Sequence, residues 1–136
     1  MLRTISLYVF LIVGVVIGLG AFGHGYSVHK VHEAIDQFPI DRAMSQTLYI
    51  VWYFVSGAML VFGATIVWTW LRLRAGHVMS LVPALLIGAL YVGVGVGAAV
   101  YRPGDPFWLL FFILGVLLLG SCFGLKATES VAGSAG

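Results

Sequence analysis

Tyr91-Val92-Gly93-Val94-Gly95-Val96-Gly97 is the stretch on which the fold turns. Branched apolar residues alternate there with glycine at period two, the pattern of a strand. The stretch lies inside an uncharged apolar block, Met79 to Tyr101. A lone strand in hydrocarbon leaves its backbone N–H and C=O groups unpaired, whereas a helix satisfies them within itself. The block is therefore read as a helix, with Ser80 as its cap, Pro83 tolerated in its first turn, and Ala89, Gly93 and Gly97 on one packing seam.

Composition supports the lipid premise. Of the 136 residues, 61% are hydrophobic and only 9% charged, with a mean hydropathy of +1.06. A soluble domain carries about 25% charged residues, so so few charges leave lipid as the main solvent. The net charge of +2 is too small and too scattered for a nucleic-acid surface. One cysteine, Cys122, has no partner in the chain for a disulfide or a thiolate cage, and reads as a small buried apolar residue.

Three further apolar blocks flank the first. Ile5 to Phe22 resembles a signal sequence in outline but is read as a retained span, with Gly14 and Gly18 as a small-xxx-small pair. Thr47 to Leu71 carries Tyr49, Trp52 and Tyr53 near its start and Trp68 and Trp70 near its end, spaced like two interfacial belts. Asp41 or Ser45 is its candidate cap. Asp105 and Pro106 open a fourth block, 106–125, beyond which Ala127 to Gly136 reads as a loose tail. The expected class is all-α: an integral membrane four-helix bundle of two hairpins, forming one domain over residues 1–136.

The polar connector, residues 23–42, reads Gly-His-Gly-Tyr-Ser-Val-His-Lys-Val-His-Glu-Ala-Ile-Asp-Gln-Phe-Pro-Ile-Asp-Arg. As a helix from Val28 to Phe38 it places Val28, Val31, Ile35 and Phe38 on one side. His29, His32, Glu33 and Asp36 fall on the other. This predicts a short amphipathic helix lying in the membrane interface between spans 1 and 2, stopped by Pro39. The His29, His32, Glu33 and Asp36 face is also the one candidate metal site, since imidazole and carboxylate suit zinc or another transition metal, with His24 able to join. It matches no established ligand spacing, and one helix face rarely encloses a metal. The competing reading is a solvated face. The same histidines beside carboxylates would titrate in the physiological range.

Depth counted from the connector side puts Gly14, Ser56 with Gly57, Tyr91 with Gly93, and Gly115 near one midplane layer. The Tyr91 hydroxyl needs a partner there, and Ser56 is placed at its depth. No span carries Asp, Glu, Lys, Arg or His in its interior, which argues against proton-coupled transport and intramembrane haem. The serines and threonines in the spans have no adjacent base for nucleophilic catalysis, and Cys122 has no histidine in the same turn. Arg3, Arg72, Arg74 and Lys126 fall on the side of both termini, against Lys30, Arg42 and Arg102 on the other. That bias points to cytoplasmic termini in a bacterial inner membrane.

Gly20-Ala21-Phe22-Gly23-His24 resembles the G-A-F-G-A-H signature of a family of small four-span membrane proteins of bacteria and mitochondria. His24 stands one place early, and Tyr49, Trp52 and Tyr53 occupy the second span, where that family tends to carry a histidine. The resemblance implies a fold rather than an activity.

The expected function is accordingly non-enzymatic: a membrane protein that interacts with lipids and assembles as a homo-oligomer or as a subunit of a larger membrane complex, with no cofactor. A second reading is a metal or cofactor protein with its site on the connector. A third is a carrier or pore for a small neutral or lipidic ligand, using the layer of Ser56 and Tyr91.

Overall fold

The computed structural model describes residues 1–38 and 40–133, with side chains given as far as Lys126. Five helices follow in order: α1 (Leu2–Tyr26), α2 (Val28–Gln37), α3 (Arg42–Arg74), α4 (Val82–Tyr101) and α5 (Trp108–Gly133). No strand occurs among the described residues, and Tyr91 to Gly97 is helical. Four segments are long and apolar enough to cross a membrane: Leu2–Gln37, Arg42–Arg74, Val82–Tyr101 and Trp108–Lys126.

The helices outrun the apolar blocks because local chemistry, not hydropathy, sets their ends. The Asp41 carboxylate accepts the Met44 N–H at 2.9 Å, so α3 starts at Arg42 rather than Thr47. Gly76, at φ 83°, closes the other end. Its N–H reaches Leu73 O and the His77 N–H reaches Arg72 O, a Schellman arrangement that only a left-handed residue allows. α4 begins at Val82, later than Met79, and its N-cap is Leu81 with no side-chain cap. Pro106 sits in the turn before α5, where Asp105 accepts the Phe107 N–H at 3.0 Å. α5 then runs past Lys126 to Gly133, so residues 127–133 are helical where a loose tail was expected. The helix stop expected at Pro39 and the last three residues of the tail lie outside the described residues.

The chain forms two compact units. The first joins Met1–Gly14 to Thr65–Gly136. Within it α4 and α5 pack antiparallel at backbone distance. A methyl built on Gly95 would lie 2.7 Å from Phe112 N, and one on Gly115 would lie 2.7 Å from Gly88 O. Gly14 fits against Ile66, and Gly124 against the Ser6 hydroxyl. Phe10, Val13, Ile66, Leu118 and Cys122 are fully buried. The close approach of α4 therefore falls on Gly88 and Gly95. Ala89 and Gly93 are exposed, and among the described residues nothing lies within 4 Å of a methyl built on Gly93 or Gly97. At ~100° per residue, a shift of one position along α4 turns the small residues out of the contact.

The second unit is Val15–Ala64. In it the end of α1, then α2, runs antiparallel to the first part of α3. A methyl built on Gly18 would lie 3.7 Å from the Gly63 Cα, and one on Gly20 would meet Met59 at 3.0 Å. These contacts explain how α1 tolerates glycines that cost a helix up to ~1 kcal/mol each: they are where α3 comes close.

A histidine and tryptophan clasp on a helical hairpin

α1 extends to Tyr26, which puts His24 on a helix rather than in the connector. Ser27 breaks the run because its hydroxyl donates to His24 O at 2.8 Å, a local bond that competes with the backbone ladder. α2 then resumes at Val28. The result is a hairpin whose two sides are held by side chains from α1, α2 and α3.

The central contact is reciprocal. Trp52 Nε1–H donates to His24 O at 2.8 Å. The His24 and Trp52 rings stack with centroids 4.2 Å apart and 19° between planes. His24 Nδ1 lies 2.9 Å from Ser56 Oγ, and the Ser56 hydroxyl donates to Trp52 O at 3.2 Å. A serine has one proton to give. Since that proton goes to Trp52 O, His24 Nδ1 carries a hydrogen and donates to Ser56. The imidazole is thereby fixed in one tautomer, with Nε2 as its acceptor. Gly25 completes the fit, since a methyl there would be 3.6 Å from Ser56 Oγ.

One helical turn or two further along, Tyr49 and His32 Nδ1 share a hydrogen bond at 2.5 Å. His32 Nε2 faces Asp36 at 3.8 Å, with both side chains about two-thirds exposed. His29 donates from Nδ1 to Tyr26 O at 3.0 Å and touches the Tyr26 ring edge-on. Val28, Val31 and Ile35 are half-buried, while His29, His32, Glu33 and Asp36 are exposed. Their apolar side borders a cleft of about 310 Å³ lined by Val31, Ala34, Ile35, Phe38, Leu48 and Trp52, among others. The division of α2 into two faces thus matches its amphipathic pattern, and the apolar face is turned to α3.

The candidate metal ligands do not converge. Among the described residues no three of His, Cys, Asp and Glu stand as a metal ion needs them. His29 and His32 are held by different partners, and Glu33 has none of the four beside it in such a group. The expected level of Ser56 along α1 is also revised. Ser56 stands level with His24, whereas depth counting put it level with Gly14, ~15 Å earlier on α1 at ~1.5 Å per residue. Its hydroxyl is committed to His24 and Trp52. The Tyr91 hydroxyl is buried with no hydrogen-bond partner among the described residues, and its ring packs on Phe111 at 5.7 Å. Neither Ser56 nor Tyr91 lines the cleft beside α2.

Trp52 was legible only as a belt residue, and His24 only as a possible extra ligand. Their partnership depends on the register of α1 against α3, for which one sequence carries no signal. Trp70 departs from the belt reading likewise, being buried with Arg74 over its ring at 5.2 Å. Tyr53 and Trp68 are exposed, each about 55%. No protein-family model, curated protein or solved structure matches this chain.

Proposed function

We propose that this chain is a small integral membrane protein with no catalytic activity of its own, which works by assembling with other membrane helices, as a homo-oligomer or as a subunit of a larger complex. Its place is the inner membrane of a bacterium, with both termini cytoplasmic, where Arg3, Arg72, Arg74 and Lys126 outnumber the cations of the opposite side.

The observation that carries this reading is the second small-residue face of α4. Gly88 and Gly95 are used within the chain against α5, at distances that admit no side chain. Ala89, Gly93 and Gly97, four residues apart, form a separate strip: Ala89 is exposed, and no described residue lies within 4 Å of a methyl built on Gly93 or Gly97. Around them Leu86, Leu90, Val96 and Val100 are 50% exposed or more. In lipid, apolar exposure alone drives no association, but a strip of small residues lets a second helix approach closely enough for dispersion to count. The polar groups of the hairpin do not favour chemistry. The His24, Ser56 and Trp52 set is occupied in holding α1 to α3: His24 stands beside Ser56, but the Ser56 hydroxyl donates to Trp52 O and offers the imidazole no proton to remove.

The test is the doubly substituted Gly93→Leu, Gly97→Leu protein. Wild type purified in mild detergent is expected above monomer mass, or with a membrane protein bound, by light scattering and mass spectrometry. The variant is expected as a monomer of unchanged helical content. A wild type that is monomeric and alone, or a variant that assembles equally well, overturns the proposal.

A further inference from the structure

We propose that the arginine-rich end of the first unit holds the phosphate-bearing headgroup of an anionic lipid. The inference rests on the membrane reading above, and three observations carry it.

The first is an accumulation of positive charge with no counter-charge among the described side chains. Arg3 Nη2 donates to Leu73 O at 3.5 Å, which brings the start of α1 against the end of α3 between Arg72 and Arg74. The chain has no acid before Glu33 and none between Arg42 and Arg102. Among the described side chains the ion pairs are His32 with Asp36 and Arg102 with Asp105, so no described carboxylate pairs with these arginines; one acid, Glu129, lies outside the described side chains. The α3 carbonyl end attracts cations, but a carbonyl end carries only about half a unit charge, against three guanidinium groups.

The second is a cavity of about 120 Å³ beside them, lined by Thr4, Leu7, Tyr8, Trp70 and Arg74. With ~30 Å³ per water, it has room for about four water-sized groups, the scale of a phosphate and its oxygens. Thr4, Tyr8 and Arg74 supply hydroxyl and guanidinium donors, while Leu7 and the Trp70 ring form an apolar wall. A phosphate ester with a hydrocarbon continuation suits such a lining better than a bare ion.

The third is preorganisation. The Arg74 guanidinium is held 5.2 Å over the Trp70 ring, and Trp70 is itself buried. A fixed planar fork is the geometry that reads phosphate oxygens in pairs. Tyr8 is 58% exposed, so the cavity opens to the outside of the helices, where a lipid stands.

The experiment is native mass spectrometry of the full chain released from detergent after titration with dioleoylphosphatidylglycerol or dioleoylphosphatidylcholine. Wild type is expected to retain the anionic lipid at least about tenfold more strongly. Arg3→Gln with Arg74→Gln is expected to lose most of that preference, at about fivefold for each arginine. Arg42→Gln, in the other unit, is expected to keep it. Thr4→Val with Tyr8→Phe preserves every charge and removes only donors. It is expected to lower retention a few-fold, and so tests the site should the arginine variant fail to fold. Equal retention of the two lipids by wild type, or undiminished preference in both double variants, overturns the proposal. So does displacement of the lipid by an equal concentration of inorganic phosphate, which would make this a free-phosphate site. Purification of the chain without detergent would instead refute the membrane reading itself.

Discussion

A methyl group added at Gly95 would sit 2.7 Å from the backbone nitrogen of Phe112, whereas one added at Gly93 would meet nothing within 4 Å. Two glycines on one helix therefore have opposite consequences. Gly95→Ala is expected to destabilise the protein by about 1–3 kcal/mol, the usual cost of overpacking against atoms that cannot step aside. Gly93→Ala is expected to be neutral or to stabilise by up to ~1 kcal/mol through helix propensity. Unfolding in a detergent titration distinguishes them; equal effects would mean that α4 and α5 are not in this register. The His24 and Ser56 pair belongs to the same scale. A double-mutant cycle with His24→Ala and Ser56→Ala is expected to give a coupling of about 0.6 kcal/mol, the average for helix–helix hydrogen bonds in a membrane protein. A coupling of zero would indicate that stacking on Trp52, not the hydrogen bond, holds the imidazole.

At the scale of an element, α2 is the informative case. Its sequence separates apolar from polar residues cleanly, and that separation predicts a helix with two faces. It does not predict what the apolar face meets. A lipid interface and the flank of α3 satisfy the same pattern, because both remove the same side chains from water. In the structure Val31, Ile35 and Phe38 border a cleft closed by Leu48 and Trp52 of α3, and Tyr49 takes His32. Ile35→Asp is therefore expected to speed amide hydrogen exchange across residues 28–37 severalfold while leaving α4 and α5 unchanged. If α2 is equally protected in the variant, its apolar face is not held by α3. The same element bears on metal chemistry. Because His29 and His32 are held by Tyr26 and Tyr49 respectively, the protein purified with zinc is expected to carry the same metal content as its His29→Ala, His32→Ala variant. A difference by elemental analysis would revive the connector as a site.

For the whole molecule, four segments are long and apolar enough to cross a membrane, and the proposed four crossings would bring both ends out on one side. Reporter fusions at Met1 and after Gly136 in a bacterial host are expected to give the same compartment, the cytoplasm under the proposed orientation. Opposite compartments for the two fusions would remove one span from the count. Arg72 and Arg74 lie in the last turn of α3, so their side is decided by whether that helix crosses.

Hydropathy and composition alone settled that this chain is helical, that it has four long apolar segments, and that its titratable groups collect near their ends; these follow from each residue's preference for water or hydrocarbon, which needs no knowledge of neighbours. The alternation at Tyr91 to Gly97 was resolved for the same reason, since an unpaired backbone is costly wherever it lies. What only the tertiary structure decided was register. Whether Gly88 or Ala89 faces α5, at which level of α1 Ser56 stands, and whether Trp52 and Trp70 turn outward or inward all depend on sliding or rotating one helix against another by a fraction of a turn. Small and apolar residues stand on several faces of these helices, so many registers look alike in the sequence, and only the sum of close contacts between whole surfaces separates them.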